Sequence, residues 1–566
     1  MKVSEALADA LAIEAEGPIF GLMGDANMAV WDALCKDPRT RMVWARHDGA
    51  AVLMADGYSK ATGRLGVATV TCGPGLANCA NAILTASRSG TPLVIFTGEY
   101  PADGGKNGLQ ALDQRLFARA CEAEFRALAS LDSLAEDIAE GFFTARTKQC
   151  PVILNMPQAL WEAELPWDWD YRASSTFLPT QGHAPSAEAL AELVELLAAA
   201  KRPVIIAGRG AMLADAKDAI ENLSDSIGAL LATTLNAKGF FDGHSYDVGV
   251  CGSFSSAPTE KLMVEADFVL GIGASLNFFT VEGGLLFPNA QVARIDTKHF
   301  PAAIGVAPGL YVHGDARKTT LALAQALAGR GVRSQGFRTA ATREILNTPL
   351  AQAPLATDGL DPRALMRVLS KTLRANTQVV SGAGHFWSWS IMHLALPPGG
   401  RFQHTASFGS IGLGLAQGIG AAVGCPQRVT LIIEGDGGLL QAIQELHAAA
   451  EQRIPLIVLI MNDAGYGAEV LKMQWKGRDP RDAQWKSPDF VAIARGFGAD
   501  GVRIEKEADL AAAIEQGIRQ KGPFVIDARV SPTSVSDSYG RIFLGRENTV
   551  PLLRPSGPAH EPKARP

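Results

Sequence analysis

At 566 residues, with 52 basic and 58 acidic side chains, the chain carries a net charge of −6 and offers no basic surplus for nucleic acid or an acidic membrane. Its 47% apolar and 19% charged residues are a globular balance that excludes long disorder, and the length calls for about three or four domains. No apolar run reaches the roughly 18 residues of a membrane span, and Glu5, Asp9 and Glu14 break up any signal-peptide pattern. The seven cysteines are scattered, odd in number and without a CxxC pair, which points to free buried thiols in a reducing, cytoplasmic setting.

Along the chain, short apolar runs alternate with longer stretches of helical period, the pattern of parallel sheets joined by crossover helices. Strands are predicted at Pro18–Leu22, Met42–Trp44, Gly66–Thr71 and Leu93–Phe96, with a helix over Ala50–Thr62. The Trp-, Pro- and Ser-rich segment Trp161–Pro185 reads as a linker. A second block carries strands at Val204–Ala207, Phe268–Ile272 and Gln291–Ile295, and Gly329–Asp361 reads as a second connection. A third block carries strands at Val379–Ser381, Val429–Ile433, Leu456–Met461 and Phe524–Asp527. The expected fold is therefore α/β: three doubly wound domains with parallel sheets at residues 1–165, 185–330 and 360–540, and a C-terminal arm at 541–566.

The strongest chemical signal is VTLIIEGDGGLLQAIQELHAAAEQRIPLIVLIMNDAGYG. A buried strand ends at Glu434, a helix is expected to about Gln452, and a second strand delivers Asn462, 26 residues after Asp436. One βαβ unit of that length brings both strand ends to the same sheet edge, where ligands bind. Gly435, Gly437 and Gly438 allow the backbone to approach phosphate oxygens, and Asp436 and the Asn462 amide oxygen are hard ligands suited to Mg²⁺. The whole arrangement resembles the diphosphate motif of thiamine diphosphate (ThDP) enzymes. The resemblance implies Mg²⁺ bound by Asp436, Asn462 and the backbone carbonyl of Ala464, with Tyr466 among the cofactor-binding residues.

A matching half lies near the N-terminus. RHDGAAVLMADGYSKATG (Arg46–Gly63) resembles the family's RHE…ADGYAR pattern, with Asp48 where the family carries the Glu that activates the aminopyrimidine at N1′. Asp is one methylene shorter. It serves through a small backbone shift or a bridging water, or activation does not depend on it. VTCGPGLANCANAI resembles the GPGxxN loop, which implies Thr71, Pro74 and Asn78 around the cofactor rings and Gln110 near the substrate. Gly409-Ser410-Ile411-Gly412 resembles the GxMG segment, making Ile411 the wedge that holds the cofactor bent. By this resemblance the first block binds the pyrimidine and the third the diphosphate. The pyrimidine block of one subunit then faces the diphosphate block of another, in a homodimer or homotetramer with active sites at subunit interfaces.

Family members share an enamine intermediate and differ in how it forms and what quenches it. Asp25 in GLMGDAN and Glu469, seven residues after Asn462, match the catalytic carboxyls of pyruvate decarboxylase-type enzymes, whose His-His pair is absent. The region of Gln110 resembles acetolactate synthase, although the Gln-Trp pair of that enzyme stands displaced at Gln474-Trp475. SGAGHFWSWSIMHLALPPGGRFQH resembles benzaldehyde lyase and brings His385 toward the substrate. The implied activity is a ThDP- and Mg²⁺-dependent lyase or carboligase acting on small carbonyl substrates, 2-oxo acids or 2-hydroxyketones. The alternatives are C–C cleavage of diketones or acyloins, and a non-catalytic relative. Some relatives hold FAD in the middle block. GRGAML (Gly208–Leu213) lacks GxGxxG spacing, so a cofactor-free structural domain is expected here.

Overall fold

The computed structural model describes residues 1–100, 108–179, 182–298, 309–348, 355–536 and 538–539. The expected arm at 541–566 lies outside the described residues. Three six-stranded, all-parallel sheets account for the strands. In the first, β1 (Ile19–Gly21), β2 (Met42–Trp44), β3 (Gly66–Thr69), β4 (Leu93–Glu99), β5 (Glu124–Ala127) and β6 (Pro151–Pro157) lie in the order β2-β1-β3-β4-β6-β5. The second contains β7 (Pro203–Ala207), β8 (Leu230–Thr233), β9 (Asp247–Val250), β10 (Phe268–Ile272), β11 (Gln291–Asp296) and β12 (Leu310–His313), ordered β12-β11-β10-β7-β8-β9. The third contains β13 (Gln378–Ser381), β14 (Arg401–His404), β15 (Thr430–Gly435), β16 (Leu456–Asn462), β17 (Asp500–Ile504) and β18 (Pro523–Arg529), ordered β14-β13-β15-β16-β18-β17. The first and third sheets thus repeat one topology. The second has the doubly wound order of a dinucleotide-type sheet.

Residues 1–180 and 355–534 form one compact unit, and residues 181–354 build another. Inside the first unit, helices Asp48–Thr62 and Gly414–Gly424 pack against each other and are buried almost throughout. Glycine makes this approach attainable: a Cβ at Gly420 would lie 1.8 Å from the Met54 carbonyl, and one at Gly57 would lie 2.0 Å from that of Gln417. The Asp56-Gly57-Tyr58 triplet is mid-helix, its glycine serving helix contact. Asp56, fully buried, accepts from Gln417 Nε2 at 2.5 Å and pairs with Lys60 at 2.8 Å.

The predicted strands all form. Five of the six edge strands (β5, β9, β12, β14 and β17) were not predicted, because edges carry polar and charged residues that interrupt an apolar run. The buried strands β6 and β8 were also passed over. The expected linker Trp161–Pro185 is anchored rather than loose. The buried Glu14 carboxylate accepts from the Tyr171 hydroxyl at 2.7 Å and from Ser174 Oγ at 2.9 Å, with Arg146 at 3.3 Å. All seven cysteines are free, but Cys35 is exposed and Cys150 half-buried, so the expectation of uniform burial fails at these two. Among the described residues, no helix is long and apolar enough to cross a membrane.

Candidate functional site

The strand order of the first and third sheets switches between β1 and β3 and between β13 and β15, and the loops leaving those strands carry Asp25, Thr71, His385 and Asp436. After β1, the short helical turn Asp25–Asn27 leaves Asp25 exposed. Asn27 ties this turn to β3 by donating to Thr69 Oγ1 at 3.0 Å. A Cβ at Gly24 would touch the Thr71 side chain, so Thr71 packs directly under the Asp25 turn. Asp48 opens its helix, but the cap is His47, whose Nδ1 accepts from the Gly49 N–H. The Asp48 carboxylate is thereby released. Its Oδ2 accepts from Asn78 Nδ2 at 3.1 Å, while Oδ1 is buried without a partner. The chain two residues before it is fixed by Glu445, which accepts from the Arg46 N–H at 3.1 Å and lies in the third block of the same chain.

Around the GPG loop, Gly73 has φ +55°, and a Cβ there would meet the Gln110 carbonyl at 2.0 Å. Gln110 itself is half-buried, with its Oε1 3.6 Å from the Cys72 thiol. Gln114, absent from the predicted set, holds this loop: its Oε1 accepts from the Gly73 N–H at 2.9 Å, and its amide donates to the Gly98 carbonyl. Pro74 and Asn78 have exposed surface. Within the same chain, Asn81 of the following helix donates to Ser410 Oγ at 2.6 Å, which brings the Gly409–Gly412 segment and Ile411 alongside.

In the third block the helix expected to Gln452 is broken into Asp436–Leu439 and Glu445–Glu451. The strand before it ends in a fully buried Glu434, which sequence analysis did not single out. A Cβ at Gly382, Gly414 or Gly438 would come within 2.6 Å of its carboxyl group. Glu434 accepts from the Gly414 N–H at 2.9 Å and the Gly435 N–H at 3.2 Å, and burial pushes its pKa up to about 8. This acid ties the GDG loop to the start of helix Gly414–Gly424.

The predicted metal ligands differ in how far their oxygens are engaged within the chain. Asn462 spends its amide internally: Nδ2 donates to Asp527 at 2.6 Å and Ser487 at 2.9 Å, and Oδ1 accepts from the Ala464 N–H and the Ser487 hydroxyl. The Ala464 carbonyl accepts from the Trp485 N–H at 3.0 Å. Asp463, in contrast, faces Asp436, and both carboxyls are held well above the ordinary range, first by burial. Gly465 bridges Gln484 in the non-hydrogen-bonded position, so that pairing does not use its carbonyl. Asp436 Oδ2 is buried without a partner. A buried and a half-buried carboxyl at close quarters, the buried one with an orphaned oxygen, are donors suited to a hard cation and fit Mg²⁺. Tyr466 and Trp485 meet edge to face at 4.8 Å over Gly437, leaving no room there for a side chain.

The remaining expectations divide. His385 is nine-tenths buried, adjoins Trp389 at 6.0 Å and is pushed down to about 4 by burial, so it is neutral at physiological pH. Its neighbour Phe386 packs against Gly435, which ties this segment to the GDG loop. Glu469 is half-exposed and has Lys472 of its own helix as ion-pair partner at 3.3 Å. Trp475 ends that helix exposed to solvent. In the other unit, a Cβ at Gly208 would lie 2.3 Å from the Gly273 carbonyl, so close packing of two strand-end loops accounts for this glycine of GRGAML.

Sequence profiles of the thiamine pyrophosphate enzymes match part of each of the three blocks: the N-terminal TPP binding domain over residues 1–117, the central domain over 190–323 and the C-terminal TPP binding domain over 382–528. The chain belongs to this family, a ThDP-dependent enzyme of the superfamily that includes acetolactate synthase and pyruvate decarboxylase. It is 29% identical to the acetolactate synthase large subunit of Parasynechococcus marenigrum, covering 98% of this chain and 91% of that one. It is also 29% identical to a probable 2-ketoarginine decarboxylase of Pseudomonas aeruginosa, covering 94% of each. A probable acetolactate synthase large subunit of Methanococcus aeolicus is 26% identical over 94% of this chain and 93% of its own.

Glu445 yields a pH test of the packing behind Asp48. Burial pushes its carboxyl up to about 7, so the folded state keeps a proton that the unfolded chain releases near the ordinary 4.5. Stability therefore falls as pH rises from about 4.5 to 7 and levels off above that. Glu445→Gln, neutral throughout, is expected to flatten this slope in denaturant titrations. An unchanged slope would show that Glu445 does not carry it.

Proposed function

We propose that the chain is a ThDP- and Mg²⁺-dependent lyase or carboligase acting on a 2-oxo acid or 2-hydroxyketone. It works as a homodimer or homotetramer in the cytoplasm, with active sites shared between subunits. The observation that carries this reading is the facing pair Asp436 and Asp463 at the edge of the third sheet, with an orphaned carboxylate oxygen. Asp436, Asp463 and the Gly465 carbonyl would hold the metal, in place of Asn462 and Ala464. Gly435, Gly437 and Gly438 would let the loop backbone approach the diphosphate closely, and Ile411 would support the cofactor rings. When bound, ThDP would supply an ionisable thiazolium C–H, whose conjugate base is a carbon nucleophile, and a cationic ring able to hold the negative charge that follows.

The side chains divide the remaining work. Asp48 Oδ1 would hold a proton against the pyrimidine N1′, its other oxygen fixed by Asn78. Thr71 and Pro74 flank the rings. Asp25, Gln110 and neutral His385 would face the substrate and place or remove protons at its oxygen. Glu469 would join them only on leaving Lys472, within the assembled oligomer. The two named activities among the relatives, forming acetolactate and decarboxylating 2-ketoarginine, support a 2-oxo acid as substrate.

The test is a screen of 2-oxo acids with Mg²⁺ and ThDP, scoring CO₂ release and carbon–carbon coupling. Coupled product or CO₂ from a 2-oxo acid supports the reading. Turnover of diketones or acyloins without CO₂ would assign a cleaving lyase instead, and binding of ThDP with no turnover of any of these substrates would assign a non-catalytic relative.

A further inference from the structure

Trp485 carries a chemical oddity. Its indole Nε1–H is buried and, among the described residues, has no hydrogen-bond partner. Tyr and Trp polar groups normally find one when buried, so an orphaned indole N–H marks a place where an acceptor belongs. The ring is held from several sides. Its backbone N–H is bonded to the Ala464 carbonyl in the loop after β16, and its ring meets Tyr466 edge to face at 4.8 Å. It also lies over Gly437, where a Cβ would come within 3.0 Å of Cη2.

The same glycine adjoins Asp436, whose Oδ2 is likewise buried without a partner. The ring that bears the orphaned donor thus packs on the glycine next to the orphaned acceptor. A cation on the carboxylate paired with an anion taking the N–H answers both. Phe and Leu at position 485 would fill the same space but supply no donor.

We propose that Trp485 is a cofactor-positioning residue whose indole N–H donates to a diphosphate oxygen of ThDP, working with the Asp436–Asp463 metal site. The proposal rests on the ThDP reading above. A charge-assisted hydrogen bond of this kind is worth about 10-fold in affinity.

The experiment is calorimetric titration of wild type and Trp485→Phe with ThDP and with thiamine, both in Mg²⁺, alongside melting of the apo proteins. The expected result is about 10-fold weaker ThDP binding by the variant, with thiamine affinity and the apo melting temperature unchanged. Equal ThDP affinity would overturn the proposal. A parallel loss for thiamine would also overturn it, because ring packing rather than phosphate would then be responsible.

If the variant melts early, wild-type indole N–H resonances supply the readout. One of the nine tryptophan signals should move on adding ThDP with Mg²⁺ but not thiamine, and none moving overturns the proposal. Failure of wild type to bind ThDP at all would instead sink the cofactor reading on which the proposal stands.

Discussion

Replacing Asp463 by alanine is expected to cost at least about 100-fold in Mg²⁺-supported ThDP affinity, whereas Asn462→Ala retains binding and loses stability. Groups that merely orient a metal ligand cost about 10–100-fold when removed, so losing a ligand outright should cost more. Asp463 faces Asp436, and deleting it leaves the diphosphate charge without half of its metal anchor. Asn462 is bonded to Asp527 and Ser487, and deleting its amide strands two buried partners at a cost of about 1–3 kcal/mol in folding. Calorimetric titration separates the cases. Normal binding by Asp463→Ala with loss in Asn462→Ala would restore the ligand set first read from the sequence. Asp436→Ala serves as the reference, since both assignments require it to lose binding.

Replacing Asp48 by asparagine is expected to slow hydrogen–deuterium exchange at C2 of bound ThDP by about 10²–10⁴-fold while leaving ThDP affinity nearly unchanged. The argument is local. His47 takes over the capping of the helix, Asn78 occupies one oxygen of Asp48, and the other is buried with nothing to bond. Holding a buried carboxylate oxygen unpaired is costly unless a ligand satisfies it. Asparagine keeps the size and the Asn78 contact but cannot exchange a proton with N1′. Exchange that survives in the variant would put activation on another group, and the absence of exchange in wild type would favour a non-catalytic relative.

The first test turns on a difference of a single position that sequence spacing could not resolve. Asn462 and Asp463 are neighbours, and either satisfies the spacing from Asp436. Strand β16 alternates its side chains, so one of the two turns toward Asp527 on β18, and the loop beyond delivers the other to Asp436. A related reason separates Ala464 from Gly465: the pairing at the Gly465–Gln484 bridge uses the Ala464 carbonyl and not that of Gly465. Glu434, Gln114 and Glu445 escaped notice because each is an ordinary polar residue until glycines and backbone N–H groups close around it.

The sequence by itself determined the class of fold, the buried strands it named and the two loops that carry the chemistry. Those features rest on local signals: apolar run length, glycine at close approaches, and hard ligands at strand ends. It placed Asp48 and Asp436 within motifs that the structure leaves with orphaned carboxylate oxygens. Only the tertiary structure decided which side chains at those loops are committed internally and which remain for a ligand. That choice depends on partners far away in the chain, such as Asp527 for Asn462, Trp485 for Ala464 and Gln417 for Asp56. A buried polar group's availability is set by what else is buried beside it, and no window of sequence contains that neighbourhood.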